Sequence, residues 1–539
     1  MFSRTRPDRS RRFGGVQSVT LALSILASIP SLYAADKPGA SPRDASVADA
    51  QMRTRVDALL AAAWKDASIR PARRATDAEF LRRAYLDLTG RIPRVSEART
   101  FLDDPLPDKR IRLIDALLAS PGYPSHLADV WRQILLTDTP AVDDAGISDG
   151  FENWLRNAFA ENRSYVQIAR ELILATGQAS DSGPALFYTA LELKPEKLAA
   201  STSRAFLGIQ IQCAECHNHP FDKWTKRDFW GYAAFFARVS PESGLAMPVS
   251  FVRDRETGEV TLPNSREVIR ARYLLGRVAS DESGRSRRML LAEWMTSPSN
   301  PYFARAAVNR AWSQLFGRGI VDPPDDLRDG QPSRLPTLLS ELAAHFVGTN
   351  YDVRRLYRLL ATTEAYQLAS EEDAGQRPPD LFAAMPLKVL TAEQLYTCVS
   401  IATCRPYDRI LASVPSSGAR RAMTNRAAFV NSFRAATTGP TEYLAGIPQA
   451  LKLLNGRLVD DATDLERSDI LAALDAPFLT DRDRVETLFL ATLSRPPSPE
   501  IAQKFEAYVA VHKETEAKRR ALGNILWALL NSAEFAVNH

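Results

Sequence analysis

Lys194-Pro-Glu-Lys-Leu-Ala-Ala-Ser-Thr-Ser-Arg-Ala-Phe-Leu-Gly-Ile-Gln-Ile-Gln-Cys-Ala-Glu-Cys-His-Asn-His-Pro220 is the stretch from which the fold and the chemistry of this chain are read. Leu198, Thr202, Phe206 and Ile209 recur at helical spacing, so a helix is expected over Lys194 to Gln212. It runs into Cys213-Ala-Glu-Cys216-His217, a C-x-x-C-H pentapeptide. Two thiols three positions apart reach the two vinyl groups of one haem, and the next His offers a ring nitrogen to the iron. His219 precedes Pro220 and is therefore biased to extended backbone, so the pentapeptide is expected on a helix's last turn. The aromatic run after it, Phe221, Trp224, Phe229, Trp230, Tyr232, Phe235 and Phe236, reads as core beneath a loop or as the wall of a macrocycle.

Outward from this point the chain reads as helical nearly everywhere. Apolar residues keep helical spacing over Val56 to Trp64, Ala78 to Leu88 with Asp77 as N-cap, Lys109 to Leu118, Leu127 to Leu136, Phe151 to Phe159 and Tyr165 to Leu174. The pattern resumes at Arg288 to Met295 and continues to the end. Between lies a segment of different character: Val249-Ser-Phe-Val and Val260-Thr-Leu flank Glu256-Thr-Gly258-Glu, which predicts a β-hairpin. The fold class expected is mainly α, two helical domains joined by a short segment containing a β-hairpin. The divisions are 1–34 a signal peptide, 35–50 a linker, 51–240 the domain carrying the pentapeptide, 241–280 the connector and 281–539 a C-terminal helical domain. An echo links the ends: Tyr85-Leu-Asp-Leu-Thr-Gly-Arg91-Ile-Pro93 with Glu97, and Leu490-Ala-Thr-Leu-Ser-Arg495-Pro-Pro497 with Glu500. It is either a repeated helical hairpin or two junctions obeying the same capping rules.

The N-terminus reads as an export signal. Arg4, Arg6, Arg9, Arg11 and Arg12 precede an uncharged run from Val16 to Ile29, and Leu32-Tyr33-Ala34 offers cleavage before Ala35. The run is short and rich in Ser and Thr for a membrane span, so no stable span is expected after cleavage. A periplasmic or secreted, cell-envelope location follows, the one in which haem c is attached. Composition agrees with a globular protein: 539 residues, 45% hydrophobic, 24% charged and net charge +4. Acids and bases are interspersed, so no nucleic-acid partner is expected. Of four cysteines, Cys398 and Cys404 are six apart on a helical pattern and face different sides, so no bridge is expected between them.

A site without haem competes with the haem reading. Cys213, Cys216 and His217 or His219 can hold zinc or iron, with a ligand such as His126 or His345 completing the set. No second C-x-x-C or H-x-x-H pair is present to do so. A redox disulfide ranks last, because no thioredoxin-like βαβ pattern surrounds the cysteines. For a haem, the distal candidates are His126, His345, Met247, Met289 and Met295, and a five-coordinate iron is the other option. A second constellation is acidic: Asp322, Asp325, Asp326 and Asp329 lie between two helical patterns. Calcium binding or acid–base work is one reading; capping and ion pairs to Arg318, Arg328 and Arg334 is the preferred one. No nucleophile elbow, phosphate-binding loop or H-E-x-x-H helix occurs.

Phe80-Leu-Arg-Arg-Ala-Tyr-Leu-Asp-Leu-Thr-Gly90 and Gln212-Cys-Ala-Glu-Cys-His-Asn-His-Pro-Phe-Asp222 resemble the planctomycete-specific cytochrome-like domain of unknown function. Asn300-Pro-Tyr-Phe-Ala-Arg-Ala-Ala-Val-Asn-Arg-Ala-Trp312, Asp325-Asp-Leu-Arg328, Ala392-Glu-Gln with Leu395, Ile447-Pro-Gln-Ala-Leu-Lys-Leu-Leu-Asn455 and Trp527-Ala-Leu-Leu-Asn-Ser-Ala-Glu-Phe535 resemble its usual C-terminal partner domain, also of unknown function. The resemblance implies that the motif is C-x-x-C-H-x-H-P, with His219 and Pro220 included, which keeps both haem and bare metal open. The expectation is therefore an exported c-type monohaem protein with haem on Cys213, Cys216 and His217, working in electron transfer or a redox step with an extracytoplasmic redox partner. The alternative is a Zn or Fe site at His217 and His219 in an extracytoplasmic binding or glycan-processing protein, with Asn309, Arg310, Asp325, Asp326 and Arg328 as a second site. A structural envelope protein is the third reading. No catalytic residue or oligomeric state is assigned.

Overall fold

The helix that organises the structure is α2 (Asp77–Thr89), whose residues are buried without a break from Phe80 to Thr89. A helix buried all round belongs at a centre, not on a surface. The structure is a computed structural model and describes residues 42–136, 147–178, 182–240, 251–280, 284–328, 333–370, 377–404 and 468–539, with a few residues between 426 and 465. The export signal, Met247, Asp329 and the 447–455 motif lie outside the described residues. Ser46–His539 form one compact unit; of Met1–Ala45 only the first turn of α1 (Pro42–Asp66) is described.

The protein is mainly helical, with only small antiparallel sheets. After α2 come α3 (Val95–Leu102), α4 (Lys109–Ala119), α5 (Gly122–Leu135), α6 (Ile147–Ala160), α7 (Tyr165–Ile173), α8 (Ala185–Ala190), α9 (Pro195–Thr202) and α10 (Lys226–Ala233). Beyond the connector lie α11 (Arg287–Met295), α12 (Phe303–Phe316), α13 (Pro336–Gly348), α14 (Val353–Ala361) and α15 (Ala392–Ala402). The last four described helices are α16 (Asp469–Leu474), α17 (Asp481–Leu493), α18 (Pro499–Ala510) and α19 (Thr515–Leu530). The N-cap expected at Asp77 is Thr76, one residue earlier, because Thr76 accepts from Glu79 N–H while Glu79 reaches back to the Thr76 N–H, a reciprocal cap. The linker expected over 35–50 is helical from Pro42.

The connector contains a hairpin, though not the expected one. β4 (Val260–Thr261) pairs with β5 (Val268–Ile269). β3 (Phe251–Asp254) pairs instead with β1 (Gly177–Gln178) and β2 (Val239–Ser240). Gly258 explains the difference. Its φ is +151°, and a Cβ there would sit 2.4 Å from the Ala237 carbonyl oxygen. It therefore lies flat against the backbone leading into β2 instead of turning β3 back on β4.

Two hydrophobic cores fill the unit. The first runs from Val56 to Met385, with Leu490 added, and draws on helices both before and after the connector. The second joins Leu390–Phe535 side chains to Leu86 and Ile92 at the end of α2. Three charged residues of α2 are buried, and each reaches a distant segment. Arg82 donates to the carbonyls of Thr492, Glu534, Phe535 and Val537. Arg83 donates to the carbonyls of Tyr366 and Leu368. Asp87 accepts from Tyr366 (2.8 Å), Lys388 (2.6 Å) and Asn538 (2.7 Å). A guanidinium shared among several carbonyls satisfies chain ends that nothing else would cap.

The echo between the chain's ends extends to three helices each, α2–α4 and α17–α19. Thr76 and Thr480 both close reciprocal caps, and Gly90 and Ser494 both end their helices at positive φ (+66° and +60°). The Arg91 guanidinium lies over Tyr85 at 4.8 Å, and that of Arg495 over Phe489 at 5.7 Å. Asp77 holds Lys109 of α4 at 2.7 Å; Asp481 holds Lys518 of α19 at 2.9 Å. The copies differ beyond this: Arg91 pairs with Glu97, whereas Arg495 pairs with Glu534 and not with Glu500.

Candidate functional site

The helix leading to the pentapeptide ends earlier than its periodicity suggests. α9 passes into a π-helical turn, Ser203–Leu207, and stops at Gly208, whose φ is +64°. Gly208 and Ile209 N–H donate back to the carbonyls of Arg204 and Ser203, and Arg310 caps the carbonyls of Arg204 and Ala205 from outside. A Cβ on Gly208 would meet Leu327 at 3.0 Å, and its carbonyl accepts from Leu327 N–H. The thiols are therefore not on a helix's last turn. After the break, Cys213 lies on a separate 3₁₀ turn, Gln212–Glu215, and Cys216 is the residue that ends it.

Ala214 is buried and anchors the turn, whereas Cys213, Cys216 and His217 are exposed. Both thiols are free, as are Cys398 and Cys404. The turn is tied to α10: Trp230 Nε1 donates to the Glu215 carbonyl (3.0 Å), Lys226 N–H to Asn218 Oδ1 (3.0 Å) and His219 N–H to the Trp224 carbonyl (2.8 Å).

The two imidazoles take opposite roles. His217 Nδ1 lies 2.8 Å from the Asn218 carbonyl, which can only accept, so Nδ1 carries the proton and Nε2 presents a lone pair. His219 Nδ1 accepts from Phe221 N–H at 3.2 Å, so its neutral ring carries the proton on Nε2. His217 is thus set to ligate through Nε2 and His219 to donate. Of the aromatic run, Trp224, Phe229, Tyr232, Phe235 and Phe236 are core, Trp230 is half-buried, and Phe221 is 79% exposed.

The acidic loop packs beside this turn. Asp325 is buried and accepts from Gln210 Nε2 at 2.9 Å, three residues before Cys213. Burial pushes the Asp326 carboxyl above the usual range, Arg328 pulls it down, Asp222 and Asp325 push it up, and His219 pulls it down. Asp326 pairs with Arg328 (3.0 Å) and Asp322 with Arg318 (3.4 Å), as the capping reading expects, but Arg334 pairs with Asp380 instead. Asn309 is a clamp for this loop: Nδ2 donates to the Val321 and Pro324 carbonyls, and Oδ1 accepts from Val321 N–H. Among the described residues no group of three or more His, Cys, Asp or Glu is gathered to hold a metal ion. Of the distal candidates, His345 bonds Asp49 at 2.9 Å, His126 packs on Gly90, Met295 is core and Met289 is exposed. None of these contacts brings them to the turn.

Sequence reasoning missed a second feature. A cavity of about 270 Å³ is lined by Asp87, Arg204, Arg310, Asp325, Lys388 and Asn538 among others. Its residues are spread over the whole chain, so no local motif announces it. Among the described residues no helix is long and apolar enough to cross a membrane.

No curated protein and no solved structure matches the chain. Residues 55–241 match the PSCyt2 family model, described as a protein of unknown function (DUF1549), and residues 287–413 match the PSD1 family model, likewise described as a protein of unknown function (DUF1553). The chain thus carries a PSCyt2 match followed by a PSD1 match, in the order its motifs suggested.

Proposed function

We propose that this is an exported c-type monohaem protein, carrying electrons or a redox step outside the cytoplasm. The observation that carries the reading is the C-x-x-C-H segment itself: two free, exposed thiols three positions apart and an adjacent His217 whose Nε2 lone pair points away from its hydrogen-bonded Nδ1. The donor set fits haem c, and such a group would supply one-electron chemistry. Cys213 and Cys216 would hold it covalently and His217 would ligate the iron. The Asn218 carbonyl fixes the His217 tautomer, and His219 Nε2–H is available to a propionate. An exposed attachment edge suits exchange with an extracytoplasmic redox partner. The basic-then-apolar N-terminus supports the periplasmic or secreted location.

A second reading, zinc or iron without haem, is favoured by the Gln210–Asp325 hydrogen bond, which brings the acidic loop against the chain leading into Cys213. It requires the turn to close around the ion, since no three-ligand group is assembled among the described residues. A pyridine haemochrome spectrum, taken on protein exported in a host with haem c maturation machinery, separates the two. A covalent haem signal lost in Cys213→Ser supports the haem. One zinc or iron per chain, with no haem signal and loss on the same substitution, supports the metal.

A further inference from the structure

We infer that the arginine face of the 251–280 connector docks an acidic protein partner, one that presents Asp and Glu carboxylates along an extended segment. The surface stands on the connector's own charges. Only the partner's role as electron donor or acceptor rests on the haem reading.

Residues 251–280 carry four carboxylates, Asp254, Glu256, Glu259 and Glu267. Three are spent on arginines from outside the connector: Asp254 on Arg288 at 2.8 Å, Glu259 on Arg287 at 2.8 Å and Glu267 on Arg227 at 2.6 Å. Glu293 of the neighbouring α11 is spent on Arg285 at 2.5 Å. Arg266, Arg270, Arg272 and Arg277 pair with no carboxylate among the described residues, and Glu256 alone stands against them.

The backbone sets these cations on the outside. From Val268 to Tyr273 burial alternates: Ile269, Ala271 and Tyr273 are buried, Val268 and Arg270 are exposed, and Arg272 is half-buried. Arg266 stands in the hairpin loop before β5, and Arg277 ends the tight turn after it, 5.2 Å over the Tyr273 ring. Arg270 and Arg272 are about 7 Å apart along the chain, the pitch at which an extended peptide repeats side chains on one face.

The composition selects a protein. Every cation of the connector is an arginine, the residue enriched at protein interfaces from which lysine is depleted. Guanidinium forks take carboxylates two bonds at a time. Val268, Leu275 and Val278 are exposed and supply apolar ground between and beside the charges. Val268 is shorter than the arginines on its face, so it does not reach past them as insertion into lipid requires. The surface also adjoins the C-x-x-C-H segment. Lys226 N–H donates to Asn218 Oδ1, next to His217, while Lys226 Nζ donates to the Pro263 carbonyl in the hairpin loop.

The test is fluorescence anisotropy on the full mature chain with a labelled peptide of alternating Glu and Thr. The comparison probes are its Lys–Thr counterpart, dextran sulfate and phosphatidylglycerol vesicles. Saturable binding of the acidic peptide is expected, weakening as salt rises. It should fall about tenfold or more in Arg266→Glu/Arg270→Glu and stay unchanged in Arg520→Glu, which reverses an exposed charge on α19. If the reversal disturbs the fold, Arg266→Gln/Arg270→Gln removes the same charges, and a smaller loss in the same direction is expected. No peptide binding, equal binding of the Lys–Thr peptide, tighter binding of dextran sulfate or vesicles, equal loss in Arg520→Glu, or folded connector variants that bind like wild type would each overturn the inference. Peptide binding is read with and without haem, so a chain that takes no haem yet binds the peptide sinks the redox reading and leaves this surface standing.

Discussion

Replacing Asp87 by Asn tests whether α2 is bolted to the rest of the unit through its buried charges. Asp87 accepts three hydrogen bonds at 2.6, 2.7 and 2.8 Å, and its side chain is 4% exposed. An Asn amide has the same shape but turns an NH₂ toward one of three donors, and it leaves the Lys388 ammonium without a counter-charge. Breaking a buried pair by removing one partner costs about 3–5 kcal/mol. Lys388 keeps its bonds to the Gln314 and Leu315 carbonyls, so the lower end, about 3 kcal/mol, is expected. The sign of the pH dependence follows from Lys388. Burial lowers its pKa in the folded state and Asp87 opposes the shift. Between the lowered value and the ordinary lysine value of about 10.4 the unfolded chain binds more protons, so this contribution to stability rises with pH. Asp87→Asn removes the opposing attraction and lowers the Lys388 pKa further. The gap between variant and wild type should therefore narrow as pH rises from neutral toward 10. Urea unfolding followed by circular dichroism across that range reads both effects. Adding Lys388→Met should restore part of the loss, since the stranded ammonium is gone. A variant within about 1 kcal/mol of wild type at neutral pH would refute the reasoning, as would a double variant no better than the single one.

Other expectations follow from the same contacts. Thr76→Ala and Thr480→Ala should each cost about 1 kcal/mol and speed amide exchange at the start of α2 or α17 respectively; unchanged exchange would mean that the caps do not hold the helix ends. Arg82→Met strands the carbonyls of Thr492, Glu534, Phe535 and Val537, so a loss of about 3 kcal/mol and faster proteolysis after Leu530 are expected; a protease-resistant C-terminus would contradict the bolt. Gly208→Ala should cost about 1–2 kcal/mol in thermal unfolding, because φ is +64° and Leu327 stands 3.0 Å from the new Cβ; a neutral result would deny the left-handed stop before the pentapeptide.

Much of the helical framework was legible because it is local. Apolar spacing found α4, α7 and α11 to within a residue or two, since each buries a stripe against a core. The reciprocal cap at Thr76 is written in Thr-Asp-Ala-Glu79, although Asp77 is itself a cap-forming residue type one position later. Gly208 was readable as a helix stop, but Ile209 continued the apolar stripe and carried the expected helix too far. The partners of β3 were not legible, because β1 lies more than 70 residues earlier and only Gly258's contact with Ala237 excludes the expected hairpin. Nothing local marks Arg82, Arg83 and Asp87 as buried; their acceptors and donors lie 279 to 455 residues away. The same distance hid the approach of the acidic loop to the pentapeptide, joined by Gln210 and Asp325 across 115 residues. Individual residues announced chemistry at Cys213, Cys216 and His217, whereas the cavity needs the assembled fold.

The central claim is that the turn at residues 213–217 carries a covalent haem. Intact mass of the denatured, exported protein tests it most directly, measured beside Cys213→Ala/Cys216→Ala matured in the same host. The account predicts wild type heavier than its mature polypeptide by one haem and the double variant at the bare polypeptide mass. Wild type at bare polypeptide mass, from a host that loads a control cytochrome c, would contradict it.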